Sequence, residues 1–396
     1  MKALNIKDRV EEIFEEIVSI RRDFHKHPEL SGKEIRTGKK ICQYLDQWGI
    51  EYETGIADTG IVGIIRGKKG TGKTIAIRAD IDALPIKEIA DYDYGSVNDG
   101  VMHACGHDVH TAILLSAGKL LKEMENELKG NVKLFFQPAE EAIGGADRMI
   151  KDGCLENPKV DHVIGLHVMP NVDVGKVELK YGKLNGNSGS VKITINGKSG
   201  HAAYPDKAVD AIVIAGHVIT SLQTLVSRNV SPLDSVVLTF GKIYGGEKAN
   251  IITDKVILEG TLRTLATQSR VAAKEKIKRI AENVSLGLGG SAEVAFKDGY
   301  IALINDDYVV DVMRDVAIKI LGEENIVYKE FPSMGGEDFS YFADKVPSAF
   351  FHLGCRNEEK GIVASLHNKQ FMVDEDCMKI GIIMQVNTIL ALLNEE

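Results

Sequence analysis

Met102-His103-Ala104-Cys105-Gly106-His107-Asp108-Val109-His110 puts three imidazoles, a thiol and a carboxylate within nine residues. Cys105 and His107 are two apart, with a glycine between them. In an extended or tightly turned backbone, residues i and i+2 can aim their side chains the same way. Gly106 permits the turn that lets both reach one ion. Thiolate and neutral imidazole are good ligands for zinc and its neighbours. A loop-to-helix junction with Asp108 as N-cap accounts for the aspartate, but not for the thiol–imidazole pair. The chemistry suggested is metal binding or cysteine catalysis.

Three strand-like runs end in further candidates. Thr74–Ala79 alternates and closes on Asp80 and Asp82, in Arg78-Ala-Asp-Ile-Asp-Ala-Leu-Pro85. Side chains two apart on a strand share a face. Asn131–Phe136 leads into Gln137-Pro138-Ala139-Glu140-Glu141. Adjacent glutamates at a strand end diverge, so one can bind a metal while the other faces a substrate; a solvated acidic helix start is the alternative. Asp161–Val168 carries His167 at its C-terminal end and His162, with a structural role expected, near its start. Open α/β sheets build sites at the carboxyl ends of their strands. Three strands delivering Asp80/Asp82, Glu140/Glu141 and His167 to one edge therefore agree better than any motif alone.

The elements that must position these groups follow from the pattern. Residues 7–48 read as helical with a break at His27-Pro28. Arg21, Arg22, His25 and His27 are expected to be solvated or locally paired. Gly67–Thr74 matches the Walker A pattern letter for letter, yet a β-type alternation follows where a helix N-terminus is needed, so a hairpin turn is expected. Thr111–Leu128 and Gly144–Asp152 read as helices. Three glycines within Tyr181–Gly189 mark a hinge or linker. Beyond it run strand 190–196, helix 206–228, strands 235–243 and 254–264, helix 268–286 and strand 291–297. That βαββαβ order is ferredoxin-like. His201, in a loop before its first helix, Asn250 and Arg263 are its polar residues of interest; a strand-end arginine can clamp a carboxylate. The chain then returns to the first domain, where Met334–Phe339 has the look of a glycine-rich turn onto a capped helix and His352 reads as a satisfied strand histidine.

Bulk properties narrow the class. At 396 residues two domains are the prior. A net charge of -9 argues against a nucleic-acid partner. Five scattered cysteines (42, 105, 154, 355, 377) do not suggest a disulfide framework. Neither a secretory leader nor a membrane span is read in the sequence, so a cytoplasmic enzyme is expected.

Together the motifs resemble the metal-dependent amidohydrolase/carboxypeptidase family of hippurate hydrolase, N-acetyldiaminopimelate deacetylase and the indole-acetyl amino acid hydrolases. The matching stretches are Arg21–Leu30, Arg78–Pro85, Met102–His110, Phe136–Glu141, Gly144–Gly153, Gly165–Pro170, Gly200–Pro205, Asn250–Ile252, Gly260–Arg263 and Met334–Phe339, in family order over essentially the whole chain. Asp91–Gly100 looks less typical. The resemblance implies an α/β/α catalytic domain on a mixed sheet (phosphorylase/hydrolase-like), residues 1–183 and 301–396, with an inserted α+β ferredoxin-like lid and dimerisation domain, 184–300. It implies two divalent metal ions, zinc first, with manganese, cobalt or nickel able to do the same chemistry. Their ligands would be Cys105 (bridging), His107, Glu141, His167 and His367. Glu140 would be the general base toward a metal-bridged water, Asp82 would orient a ligand or tune the base, and His201 would stabilise the oxyanion, in the partner subunit's site of a homodimer. Asn250 and Arg263 would hold the substrate carboxylate; the role of Asp80 stays open. The implied reaction is hydrolysis of an N-acyl amino acid. Cleavage of C-terminal peptide bonds, a Cys105 thiol hydrolase and a non-catalytic metal-binding protein are the alternatives.

Overall fold

A computed structural model describes residues 5–89, 92–142 and 144–394; Asp91, at the head of the less typical stretch, lies outside them. The chain divides into two compact units, one of residues 1–182, 304–330 and 338–396, the other of 183–303 and 331–337. Each has its own apolar core.

The first unit opens with a two-turn helix, Ile6–Glu12, followed by α1 (Phe14–Lys26) and α2 (Ile35–Gln47), which are separated around Pro28. Strands β1 (Glu51–Ile56), β2 (Gly60–Arg66) and β3 (Thr74–Asp80) follow. The glycine- and lysine-rich segment 67–73 simply joins β2 to β3. A Cβ on Gly67 or Gly72 would meet backbone of 128–130 at 2.3 or 2.8 Å, so those glycines serve close packing of that segment. After α3 (His107–Glu123) come β4 (Asn131–Gln137), β5 (His162–Asp173) and β6 (Val177–Leu179).

In the second unit the order is β7 (Asn187–Asn196), α4 (Ala211–Asn229), β8 (Val236–Gly245), β9 (Lys255–Thr264), α5 (Thr267–Gly287) and β10 (Ser291–Asp298). The strands form one antiparallel sheet in the order β8-β9-β7-β10. This is the ferredoxin-like arrangement. The first helix starts at Ala211 rather than 206. Pro205–Lys207 makes only a short 3-10 turn, and Asp210 caps the helix by accepting from Ile212 N and Val213 N.

The first unit resumes with α6 (Asp307–Leu321), β11 (Ile326–Tyr328), β12 (Ser348–Arg356) and α7 (Cys377–Asn394). Its eight strands lie in the order β1-β2-β4-β3-β5-β12-β6-β11. The central β4-β3-β5-β12 pairs are parallel, and antiparallel pairs flank them, giving a mixed sheet. Parallel central strands are covered on both faces and read as apolar runs; β3 is buried at every position and α3 along nearly its whole length. By length and composition α4 and α7 could each cross a membrane, which the sequence reading did not register; most of α7 is buried within the first unit.

Candidate metal centre

The cluster of interest lies wholly in the first unit, where the C-terminal ends of β3 and β4 and the start of α3 meet β5. Register explains the opening. β3 pairs with β5 only as far as Arg78 opposite Gly165, while β5 continues to Asp173 along β12. His167 is therefore mid-strand rather than terminal, but it lies past the last β3 pair.

Gly106, at φ 86°, is the N-cap of α3 and turns the chain so that Cys105 and His107 face one point. Cys105 Sγ is 3.3 Å from His167 Nε2 and 3.3 Å from His367 Nε2. His367 Nε2 is 3.3 Å from Glu141 Oε1, which is 3.9 Å from His107 Nε2. Cys105, His107 and His167 have ligand atoms within 4.8 Å of one another, and so do Cys105, Glu141 and His367. The two triads share the sulfur. Glu140 joins His107 and Glu141 in a third such group. The expected divergence of the two glutamates does not occur. Ala139 at φ 59° ends the extended run and a turn follows, so both carboxylates converge.

The residues fit a bound cation. Nε2 of His107 and Oε1 of Glu141 are buried without a hydrogen-bond partner, a state that costs free energy unless something binds there. Burial pushes His167 well below the usual imidazole range, so its Nε2 keeps a lone pair. For His107 burial works the same way, yet Asp80 and Asp82 outweigh it and raise the pKa well above normal. That is the signature of negative potential, which favours a cation. Burial holds the Cys105 thiol well above its ordinary value.

Neighbouring carboxylates fix the geometry. His107 donates from Nδ1 to Asp82 Oδ1 at 3.1 Å, turning Nε2 toward the cluster. Asp82 Oδ2 accepts from Ser31 Oγ and from the Glu141 amide. Glu34 accepts from the Ala139 amide, and Asp338 from Gly145 N, Ala146 N and Gln137 Nε2, so the loop carrying both glutamates is held at each end. Arg78, fully buried, links Asp338, Asp80 and Gln137.

Several of these groups were missed or misread in the sequence. Asp108 makes no cap: the helix N-terminus is Gly106, and the buried Asp108 carboxylate meets Arg21 Nε at 2.7 Å and His25 Nδ1 at 2.8 Å. Arg21 and His25 are thus not solvated: they pair locally, Arg21 Nη2 with His25 Nδ1 at 3.2 Å, and both also meet Asp108, because α1 packs them onto α3. Burial opposes protonation of His25, but both ring nitrogens face carboxylates, Asp108 and Glu88, and its pKa is raised. Asp338 makes no side-chain cap on the helix that follows it, Ser340–Lys345; its buried carboxylate pairs with Arg78 and accepts from the Gly145 and Ala146 amides. An arginine directly ahead of two aspartates on an apolar strand was the available signal. His352 behaves as read, donating from Nδ1 to Glu178 at 2.6 Å.

His201, Asn250 and Arg263 belong to the second unit. His201 pairs with Ile251 in a two-residue ladder, and Ala202 N donates to Asn250 O, so His201 and Asn250 are neighbours. His201 Nδ1 accepts from Ala203 N, which leaves the proton on an exposed Nε2. Arg263, on β9, donates from Nε to Thr261 Oγ1.

The chain is similar to known proteins over most of its length. The family model "Peptidase family M20/M25/M40" matches residues 76–391. The N-acetyl-L-cysteine deacetylase of Bacillus subtilis is 42% identical over 360 residues, covering 91% of this chain and 84% of that protein. Thermostable carboxypeptidase 2 of Saccharolobus solfataricus is 39% identical over 380 residues, 95% of each. A Bacillus subtilis crystal structure described as a dinuclear metal binding peptidase from the M20 family superposes with a TM-score of 0.84 at 32% identity, covering 97% of this chain and 99% of that one. With sequence, fold and a cluster of candidate metal ligands in agreement, the chain belongs to Peptidase family M20/M25/M40 and is an amidohydrolase.

Proposed function

We propose that the chain hydrolyses the amide bond of N-acyl amino acids, with two divalent cations held by Cys105, His107, His167, Glu141 and His367. The observation that carries the reading is the pair of buried ligand triads sharing Cys105. Zinc suits this thiolate–imidazole–carboxylate set, and manganese, cobalt or nickel can take its place. When bound, the cations supply the Lewis acidity that makes water nucleophilic near neutral pH. Glu140, beside His107 and Glu141, removes the proton from that water and delivers it to the departing amine as the C–N bond breaks. Asp82 keeps His107 in the tautomer with Nε2 free. His201, with its proton on Nε2, donates to the oxyanion, and Asn250 and Arg263 hold the substrate carboxylate. The family resemblance supports a homodimer, with residues 184–300 as lid and dimerisation domain and His201 serving the partner's site.

The deacetylase likeness favours small acyl groups. The carboxypeptidase likeness, almost as close, supports C-terminal peptide bonds as a second substrate class. Cys105 as nucleophile fits poorly: burial raises its pKa, and of the two imidazoles 3.3 Å away His167 is held neutral while His367 is engaged by Glu141. The test is metal content per chain together with ninhydrin-detected release of amino acid from N-acetyl amino acids and dipeptides. About two metals per chain are expected, with activity lost to chelator and restored by zinc or manganese. Glu140→Gln should keep the metals and lose about 10²–10⁴-fold in kcat. Full turnover by that variant refutes the base, and activity indifferent to chelator refutes the mechanism class.

A further inference from the structure

Two buried groups beside the cluster have no part in the reaction above. Asp80 and His110 form with His107 another set of ligand atoms within 4.8 Å of one another. The hydrogen bonds decide against a metal there. Val168 N donates to His110 Nε2 at 2.9 Å. A backbone amide can only donate, so Nε2 carries the lone pair and the ring is neutral with its proton on Nδ1. That proton goes to Asp80 Oδ1, 2.6 Å away. The other Asp80 oxygen accepts from Arg78 Nη1 at 2.7 Å. Both nitrogens of His110 and both oxygens of Asp80 are committed.

The same residue, Val168, touches the proposed ligand set. Its carbonyl accepts from His167 Nδ1 at 2.6 Å, which leaves His167 Nε2 as the lone-pair nitrogen aimed at Cys105. The His110 and His167 rings meet edge to face, centroids 4.7 Å apart. One imidazole thus pins the peptide that follows His167 and packs against the ring itself.

We propose that His110 is a positioning residue that sets the tautomer and direction of His167, and that Asp80 acts through His110 rather than as a ligand. The chain of contacts runs from Arg78 through Asp80, His110 and Val168 to His167. Deleting the His110 ring leaves the Val168 amide buried without an acceptor and removes the nearer of the two edge-to-face contacts of the His167 ring, leaving the one to His107 at 5.9 Å. The proposal rests on His167 being a cation ligand.

The test uses full-length protein labelled with ¹⁵N-histidine, and cobalt(II) as the probe. Long-range proton–nitrogen spectra of the metal-free parent should show His110 and His167 each as a single Nδ1–H tautomer. His110→Leu should release His167 into a mixture of tautomers, weaken cobalt(II) binding about 10–100-fold and alter the cobalt–thiolate absorption. His110→Gln, whose Oε1 can accept from Val168 N, should recover most of the affinity. With cobalt at a fixed subsaturating level, kcat should fall with KM changed less than about twofold, as expected when active centres are lost. A folded His110→Leu protein with the parent's His167 tautomer and cobalt affinity overturns the proposal. Should the leucine variant not fold, Asp80→Asn decides: unchanged His110 and His167 tautomers with unchanged affinity overturn it equally. Failure of the functional reading looks different. It would appear as cobalt binding without turnover in the parent, whereas the positioning role fails on the parent's own spectrum if His167 carries its proton on Nε2.

Discussion

Asp82 shows how much one carboxylate does in this cluster. It accepts from His107, from Ser31 and from the Glu141 amide, so it aims an imidazole and fixes the peptide of a glutamate at once. Burial works against its charge, but these donors outweigh it and hold its carboxyl below the usual range. Asp82→Asn keeps an acceptor for His107 and puts an amide NH₂ where Oδ2 accepts from both Ser31 Oγ and the Glu141 amide. We expect divalent-cation affinity to fall about 10–100-fold, measured by competition with a chromogenic chelator, with the fold intact by circular dichroism. At this scale the sequence was readable where residue type alone implies chemistry: Cys105, His107, Glu140, Glu141 and His167 all meet in one cluster. It was unreadable where burial decides. Arg21, His25, Asp108 and Asp338 are ordinary surface residues by composition, and only tertiary packing puts them inside.

The turn ahead of α3 illustrates the scale of the element. Gly106 combines a φ of 86° with a site where a Cβ would lie 2.3 Å from Val168 Cγ2. Gly106→Ala thus meets both a left-handed backbone penalty and a clash with β5, costing about 2–4 kcal/mol in total. Val168→Ala in the same chain should recover the clash portion only, and denaturant titration of the single and double variants separates the two. A second element-level prediction concerns β6, only three residues long. Its central Glu178 accepts from His352 on β12 and from Lys329 just beyond β11, tying three strands together. Burial would raise the Glu178 pKa, but these partners lower it. The stabilisation is therefore present above the unfolded-state value of about 4.3 and is lost as pH falls through the lower folded-state value. Glu178→Gln should flatten the acid limb of a Tm-versus-pH curve below about pH 5; an unchanged limb would show that the triad contributes nothing there. The long elements were legible from periodicity. The start of α4 was not, because Pro205 suits both a helix N-terminus and the short 3-10 turn found there, while the cap falls five residues later, at Asp210.

On the scale of the whole molecule, two separate apolar cores argue against a single cooperative transition. Differential scanning calorimetry should give a van't Hoff enthalpy smaller than the calorimetric one, and chelation should shift only the component belonging to the first unit. The division was partly visible beforehand, in the glycine-rich stretch near 181–189 and the βαββαβ order. The assignment of 331–337 to the second unit was not, since the glycine-rich turn beginning at Met334 reads as part of the returning first domain and its sequence carries no sign of which unit it packs on.

The sheet order of the first unit also bears on how the protein is made. β12 lies between β5 and β6, yet it is encoded after the whole of 183–303. Arg21 reaches its partner Glu375 across 354 residues of sequence. On the ribosome, β5 must wait with its edge unpaired while more than a hundred further residues emerge, and the second unit, nearly contiguous in sequence, can fold first. The nascent chain therefore carries an open strand edge, and an unfinished charge cluster, while those residues are made. The last of the proposed ligands in chain order, His367, follows both β5 and β12, so that cluster too is assembled late.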